Sequence, residues 1–343
     1  MITERQLAIL QSIIDEYILT GVPVGSRTLS KRVDMNLSSA TIRNEMADLE
    51  EYGYLEQPHA SAGRKPTEKA YRLYVDTLMK VSRLNQQEVM IIKHYFDKKV
   101  QEIENVIETT AKALSDLTNM TAVVMSPQLK RDEIKRIQIV KLSEQKALLV
   151  FVFSTGMVKD VMVQIDEDID AQYLEMLSSL LTEKVQNLPA EEAVDAVRDI
   201  LYSDLPEHRR FLNALLSAVG ANVRSRGEVV LGGAKNIFNH PEYKDVDKAK
   251  SFLSLLETKD KLYDMLRRAK DMEFTIKIGT ENELDQLKDM SVVTATYKIG
   301  NENIGSFGII GPTRMDYGKI VSIMSCIGSS MNDILKSFLS IDE

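Results

Sequence analysis

The stretch Ser38-Ser39-Ala40-Thr41-Ile42-Arg43-Asn44-Glu45-Met46 decides how the rest of the chain is read. Ser38 can cap a helix, because its hydroxyl accepts from an amide that the first turn leaves unpaired. In the helix that follows, Ile42, Met46 and Leu49 recur at three and four residues and point inward. Ser39, Thr41, Arg43 and Asn44 take the other faces of its first two turns, and Gly53 closes it. Upstream, Val22-Pro23-Val24-Gly25 forbids helix, Ser26 can cap a short second helix burying Leu29 and Val33, and Asp34-Met35-Asn36 makes a turn. A first helix opens with a Thr3/Gln6 capping box, carries Leu7, Leu10, Ile14 and Tyr17 on one face, and ends at Gly21. A short helix, a tight turn and a further helix with polar residues near its start are the parts of a helix-turn-helix. Arg43 can donate two hydrogen bonds to guanine and Asn44 can pair with adenine, while the helix N-terminus with Ser38 or Ser39 can meet a phosphate. The same pattern also fits a three-helix bundle with an ordinary solvated face.

The next segment favours the DNA-reading alternative. Tyr54-Leu55-Glu56 reads as a strand, and His59-Ala60-Ser61-Ala62-Gly63-Arg64-Lys65-Pro66-Thr67 is a turn of small residues carrying two adjacent cations. Such a wing lets Arg64 or Lys65 touch phosphate or enter the minor groove. Thr67 then caps a helix whose Tyr71, Tyr74, Val75 and Leu78 have the spacing of packing rather than of base stacking.

Charge has to be read locally. The net charge of −8 argues against a protein that coats nucleic acid, and residues 1–80 hold 10 Lys or Arg against 11 Asp or Glu, with no bulk basic signature. Segregation is the remaining signal: Arg27, Lys31, Arg32, Arg43, Arg64, Lys65, Lys69 and Arg72 fall in the parts expected to face DNA, whereas Asp48, Glu50, Glu51 and Glu56 follow the middle of the third helix.

These motifs make the sequence similar to the HrcA family of heat-shock repressors. The resemblance rests on residues 38–46, on Gly53-Tyr54-Leu55, on Ser61-Ala62-Gly63-Arg64 with Pro66-Thr67, and on the distant Gly308-Ile309-Ile310-Gly311-Pro312-Thr313-Arg314-Met315-Asp316-Tyr317. It spans the whole chain, and its middle is the least distinctive part. It implies a homodimer that binds the CIRCE inverted-repeat operator of chaperone operons, with the GroEL chaperonin as corepressor. The residues expected to bind DNA are Arg27, Ser38, Ser39, Thr41, Arg43, Asn44, Arg64 and Lys65.

Beyond the reader, residues 82–120 read as helix, first Gln86 to Val100 and then through Ile103 to Leu114. Three β-rich runs, Ile134 to Leu142, Ala147 to Thr155 and Met157 to Ile165, make an antiparallel meander broken by Ser143-Glu144-Gln145-Lys146 and Gly156. Amphipathic helices are expected at Asp170 to Val185 and Ala190 to Leu201, and a helix at Glu207 to Ala218. Val229-Val230-Leu231 is a strand, Asp247 to Lys270 one helix, Phe274 to Ile278 a strand and Glu281 to Leu287 a helix. Strands Val292 to Lys298 and Ile304 to Ile310 flank the turn Gly300-Asn301-Glu302-Asn303, and a last helix runs from Tyr317 to Phe338. The expected class is α+β and multidomain. Its parts are a winged helix-turn-helix at 1–80, a helical connector at 81–103, a domain resembling the GAF fold at 104–130 and 224–343, and an insertion at 131–223 that the family resemblance implies to be a dimerisation domain.

No catalytic constellation assembles. His59, His94, His208 and His240 are scattered, Cys326 is the lone cysteine, and Gly232-Gly233 does not begin a phosphate-cradling loop. Gly305, Gly308 and Gly311 read as strand-end glycines, and Asp166, Asp168 and Asp170 sit in an acidic turn without the rest of a calcium loop. No metal, no cofactor and no enzymatic activity are expected. The apolar run Ala147 to Phe153 is too short to span a bilayer, so no membrane is expected and the location is cytoplasmic. A regulator whose GAF-like domain binds a small effector is the alternative, and an enzyme using that pocket a third class.

Overall fold

The computed structural model describes residues 2–31, 37–59, 61–97, 103–127, 133–154, 158–186, 188, 192–193, 195–198, 211–217, 228–269, 273–299 and 302–338. Val33, the turn Asp34-Met35-Asn36, Gly156, and Gly300-Asn301 of the last hairpin lie outside the described residues. So do Arg32, Ala60, Val100 and much of the segments 190–201 and 207–218.

The N-terminal part folds from caps. Helix α1 (Glu4–Thr20) opens with the Thr3/Gln6 capping box, each side chain bonding the other's amide, and ends at Gly21 with φ 66°. Its buried face is Gln6, Ile9, Leu10, Ile13 and Ile14, so Leu7 stands at the margin and not in the centre. Helix α2 (Ser26–Ser30) is capped by Gly25 and not, as expected, by Ser26, whose hydroxyl is instead 3.1 Å from that of Ser39. Helix α3 (Ser39–Glu51) has Ser38 at its cap, accepting from the Thr41 amide, and buries Ile42, Met46 and Leu49. Gly53, at φ 77°, turns the chain into β1 (Leu55–Glu56), which pairs antiparallel with β2 (Lys65–Pro66). Thr67 caps α4 (Glu68–Leu73), which continues as a π-helical turn, Tyr74–Leu78.

Helices α5 (Gln86–Asp97) and α6 (Ile103–Thr118) lead to β3 (Thr121–Met125), a strand the sequence reading had not placed. The chain then leaves for a second sheet, β4 (Ile134–Ser143), β5 (Lys146–Phe153) and β6 (Val158–Gln164), an antiparallel meander as expected. Helix α7 (Ala171–Val185), capped by Asp170 of the acidic turn, covers one face of it. Leu174, Leu177, Leu181 and Val185 meet Ile137, Ile139, Leu149 and Phe151 there, joined by Phe211 and Leu215, in a core of their own.

The chain returns as β7 (Val229–Gly232) beside β3. The single helix expected at 247–270 is two, α8 (Val246–Glu257) and α9 (Lys259–Arg268), broken at Thr258 with φ −92° and ψ 71°. Strand β8 (Phe274–Ile278) follows. The helix expected at 281–287 is instead two single 3₁₀ turns, because the buried Asn282 amide donates to the carbonyls of Gly279, Leu287 and Met290 and holds an irregular loop. Strands β9 (Met290–Ile299) and β10 (Glu302–Pro312) and helix α10 (Tyr317–Phe338) complete the fold.

The larger sheet is antiparallel in the order β7-β3-β10-β9-β8. One face, with Val123, Met125, Val292 and Ile310, packs on Phe252, Leu255, Leu262 and Leu266 of α8 and α9. The other, with Ala122, Val124, Val293 and Ile309, packs on α6 and α10 in a cluster that also contains Ile9, Ile14, Leu49 and Tyr71. This chain is therefore α+β, and its N-terminal helices share one core with the larger sheet. Gly311 lies at the end of β10, as expected, whereas Gly305 and Gly308 lie inside it: an added Cβ on Gly305 would sit 2.2 Å from the Tyr297 hydroxyl, at a register shift in the β9–β10 pairing.

Candidate nucleic-acid interface

Helix α3 presents one outward face, Ala40, Arg43, Asn44, Ala47, Asp48 and Glu51, all exposed at helical spacing, with Ala40, Arg43, Asn44 and Ala47 in its first turns and the two acids at its C-terminal end. Its back is anchored by Ile42 and Leu49, both wholly buried, and by Met46. Two long polar side chains are thus flanked by two methyl groups. That profile lets a helix lie close to a groove floor while Arg43 and Asn44 reach out, and alanine can contact a thymine methyl. Ala40 and Ala47 were missed in the sequence, although the helical spacing that picked out Ile42 and Met46 gives them as well.

The other expected residues gather around the start of α3. Ser38 is exposed at its cap, its hydroxyl 2.9 Å from that of Thr41, so both stand at the positive end of the helix. Ser39 is drawn instead towards Ser26, a tie that sets α2 against α3. Arg27 on α2 and Arg43 on α3 are exposed, and neither forms an ion pair with another described residue.

The wing root departs from the expected segregation of charge. Arg64 donates from Nε to Glu50 at 2.8 Å, and Lys65 lies 2.7 Å from Glu56. The hydrogen bond to Glu56 holds the Lys65 ammonium above its ordinary pKa, against burial that pulls it down. Both cations are thus balanced by a carboxylate within the chain, which a phosphate would have to displace. Lys69 and Arg72 turn elsewhere. Lys69 donates to the Tyr52 carbonyl at 2.8 Å and lies over the Tyr54 ring, and Arg72 fastens to the larger sheet.

What holds the wing is a contact the sequence did not disclose. Val24 and Arg64 exchange both backbone hydrogen bonds at 2.8 Å, so the segment before α2 adds a third short strand beside the hairpin. Gly63 makes this possible, since an added Cβ would stand 2.4 Å from the Val24 carbonyl carbon, backbone against side chain with no room to yield. Gly63→Ala is therefore expected to open the bridge and cost about 1–3 kcal/mol, as overpacking does. Urea unfolding followed by dichroism measures this, and an unshifted midpoint would show that the wing relaxes freely.

The N-terminal unit is clamped to the larger sheet. Arg72 donates to Glu281 from Nε at 2.8 Å and again from its terminal nitrogen, to the Ile276 carbonyl at 2.6 Å, and to Asp76 at 3.1 Å. Burial raises the Glu281 carboxyl, but the bonds from Arg72 and the Ile278 amide outweigh it and leave its pKa below the ordinary value. Glu68 accepts from the amide and the hydroxyl of Thr280, at 3.0 and 2.6 Å. On the far side Arg314 pairs with Glu242, donates to the Ile18 carbonyl at 3.3 Å, and lies against Gly21. Between these clamps Tyr71 and Tyr317 face each other with ring centroids 6.2 Å apart, and the Tyr317 hydroxyl donates to the Thr313 carbonyl and meets Ser291.

Residues 104–321 match the family model described as HrcA protein C terminal domain. Over 340 residues the chain is 41% identical to the heat-inducible transcription repressor HrcA of Clostridium botulinum (strain Eklund 17B / Type B), covering 98% of each. It is 40% identical over 338 residues to that of Brevibacillus brevis, covering 98% of this chain and 99% of the relative, and 38% identical over 340 residues to that of Bacillus pumilus, with the same coverage. A crystal structure of a hypothetical protein at 2.2 Å resolution superposes with a TM-score of 0.69 at 21% identity, over 98% of this chain and all of that one, which supports the overall fold.

Proposed function

The chain belongs to the HrcA family of heat-inducible transcription repressors, and from that premise we propose that it represses by occupying an inverted-repeat operator of the CIRCE type as a homodimer. A single observation carries the reading: the exposed Ala40/Arg43/Asn44/Ala47 stripe on a helix whose back is fully anchored and whose start is capped by Ser38. The unit at 1–80 serves as a winged helix-turn-helix, with Arg27, Ser38 and Thr41 on phosphate, Ser39 holding α2 against α3 beside them, Arg43 and Asn44 on bases, and Arg64 and Lys65 on the flanking backbone. Residues 81–103 connect it to a GAF-like domain at 104–130 and 224–343. The mechanism is occupancy of DNA, so no catalytic residue is required of the family's activity, and the site of action is the cytoplasm.

The segment 131–223 supplies the dimer. The meander's uncovered face sets Val140, Leu148 and Met162 in one cross-strand row and Val152 and Val158 in another, with Val150 between them. Val140, Val158 and Met162 are 42%, 55% and 56% exposed, an apolar patch of a kind that marks an association surface. A two-fold pairing of that face places two readers on equivalent half-sites. GroEL enters as the factor that maintains the DNA-competent fold, since a change of one or two kcal/mol shifts the active population severalfold.

The test is titration of purified protein with an inverted-repeat operator, with and without chaperonin, across a temperature series. The expected result is saturable, footprinted binding of a dimer, with a larger competent fraction when chaperonin is present. Footprints absent from chaperone promoters would sink the operator reading, and a competent fraction indifferent to chaperonin would sink its role.

A further inference from the structure

Helix α9 and strands β8 and β9 enclose a cavity of about 400 Å³ on the face of the larger sheet that carries α8 and α9. This is the size range of small-molecule sites. Its floor is apolar, from Met265, Leu287 and Val292, and its rim is charged. Arg268, Lys277 and Lys261 line it against two acids, Asp264 and Glu283, leaving one positive charge in excess. Arg268 and Lys277 both pair with the same carboxylate, Glu283, so an incoming anion has two cations within reach that already share a single partner. The Thr275 hydroxyl, also in the lining, is buried without a hydrogen-bond partner among the described residues, a donor and acceptor for a ligand to satisfy.

What joins this cavity to the reader is the two-residue period of β8. Thr275 and Lys277 line the cavity, whereas Phe274, Ile276 and Ile278 pack into the core shared with α1 and α4. β8 is an edge strand, and its outward Ile276 carbonyl takes the Arg72 guanidinium. The loop that follows repeats the division, with Thr280 and Glu281 holding Glu68 and Arg72, and Asn282, Glu283 and Leu284 lining the cavity. One strand and one turn therefore serve both sites.

We propose that this cavity binds a small organic anion, a carboxylate or phosphate on a short apolar body, and that its occupancy is felt at the clamp between α4 and the 276–281 segment. The apolar body covers Met265 and Val292, the anionic head takes Arg268 and Lys277 from Glu283, and Thr275 supplies the remaining hydrogen bond. A bound ligand bridges α9 to β8, so the strand and the turn that carry Arg72 and Glu68 lose freedom.

The experiment uses the full chain without DNA, so it stands apart from the operator reading. Hexanoate and hexyl phosphate are titrated by ligand-observed NMR, with hexanol as the uncharged control, and amide hydrogen exchange is followed in 68–78 and 274–284. Saturable binding of an anion is expected, at least about tenfold weaker in Arg268→Glu/Lys277→Glu, a loss of 1.4 kcal/mol or more. Met265→Trp, which fills the cavity, should abolish it, and Arg267→Glu, an exposed neighbour outside the lining, should leave it unchanged. Slower exchange in both segments supports the coupling. No saturable binding, equal binding of hexanol, or indifference to both lining variants overturns the site, and binding with unchanged exchange at 68–78 overturns the coupling.

Discussion

Leu148→Asp combined with Val150→Asp is expected to turn the proposed dimer into a monomer and to weaken binding to a full inverted repeat by about 10²- to 10⁴-fold, the gain that a tether confers on a second binding event. Both residues lie on the meander face opposite α7 and are only partly buried, so the folded monomer should tolerate a carboxylate at either place. Their inward neighbours Leu149 and Phe151 are wholly buried and stay as they are. In a dimer the four acids of the two chains would face one another across an apolar contact, where like charges out of water are mutually repelled. Sedimentation gives the assembly state, and a mobility shift on full and half operators gives the affinities. Binding to an isolated half-site should be untouched. A variant that still sediments as a dimer would place the interface elsewhere.

Arg43→Ala and Asn44→Ala each remove a side chain from the stripe proposed to read bases. Each should cost about 1–3 kcal/mol of discrimination, which is roughly five- to 150-fold in relative affinity for the correct base pair. Both positions are exposed on a helix whose stability comes from Ile42, Met46 and Leu49, so the melting temperature should not move. Lys65→Ala is the contrasting variant. Its ion pair with Glu56 is half-exposed and stabilises little. Its loss should weaken binding to all sequences alike and reduce the salt slope by about one. Competition assays with single-base operator variants at several salt concentrations separate the two behaviours. Equal loss on every sequence in Arg43→Ala would move that residue from base to backbone.

Local signals made the reader legible: the Thr3/Gln6 box, Ser38 and Thr67 at caps, Gly53 at a positive-φ turn, and the period of Ile42, Met46 and Leu49. Where distant partners decide, the sequence is silent. Arg72 reads as a wing-side cation until Glu281, 209 positions away, claims it. Thr121–Met125 is buried along its whole length, so it lacks the alternation that betrays a half-buried strand, and it follows a helix with no proline between. Thr258 breaks a helix without glycine or proline, because α9 has to lie back on the sheet. The loop at 279–290 answers to one buried amide, Asn282, rather than to any period. The expected segregation of charge follows positions along the chain, but at the wing root the wing cations pair with Glu50 and Glu56.

The core that α1 and α4 hold in common with β9 and α10 bears on whether this repressor is built from interchangeable parts. Residues 1–80 look portable in sequence, a self-contained reader that protein engineers would graft onto another scaffold. Severed there, the piece would carry Tyr71 and Tyr74 as an open apolar wound, with Arg72 and Glu68 stripped of their counterparts. A chimera has to bring α10 and the 276–281 edge along, or replace them with a surface of the same shape. By this geometry, the unit of heredity that can be shuffled is the reader together with its seat.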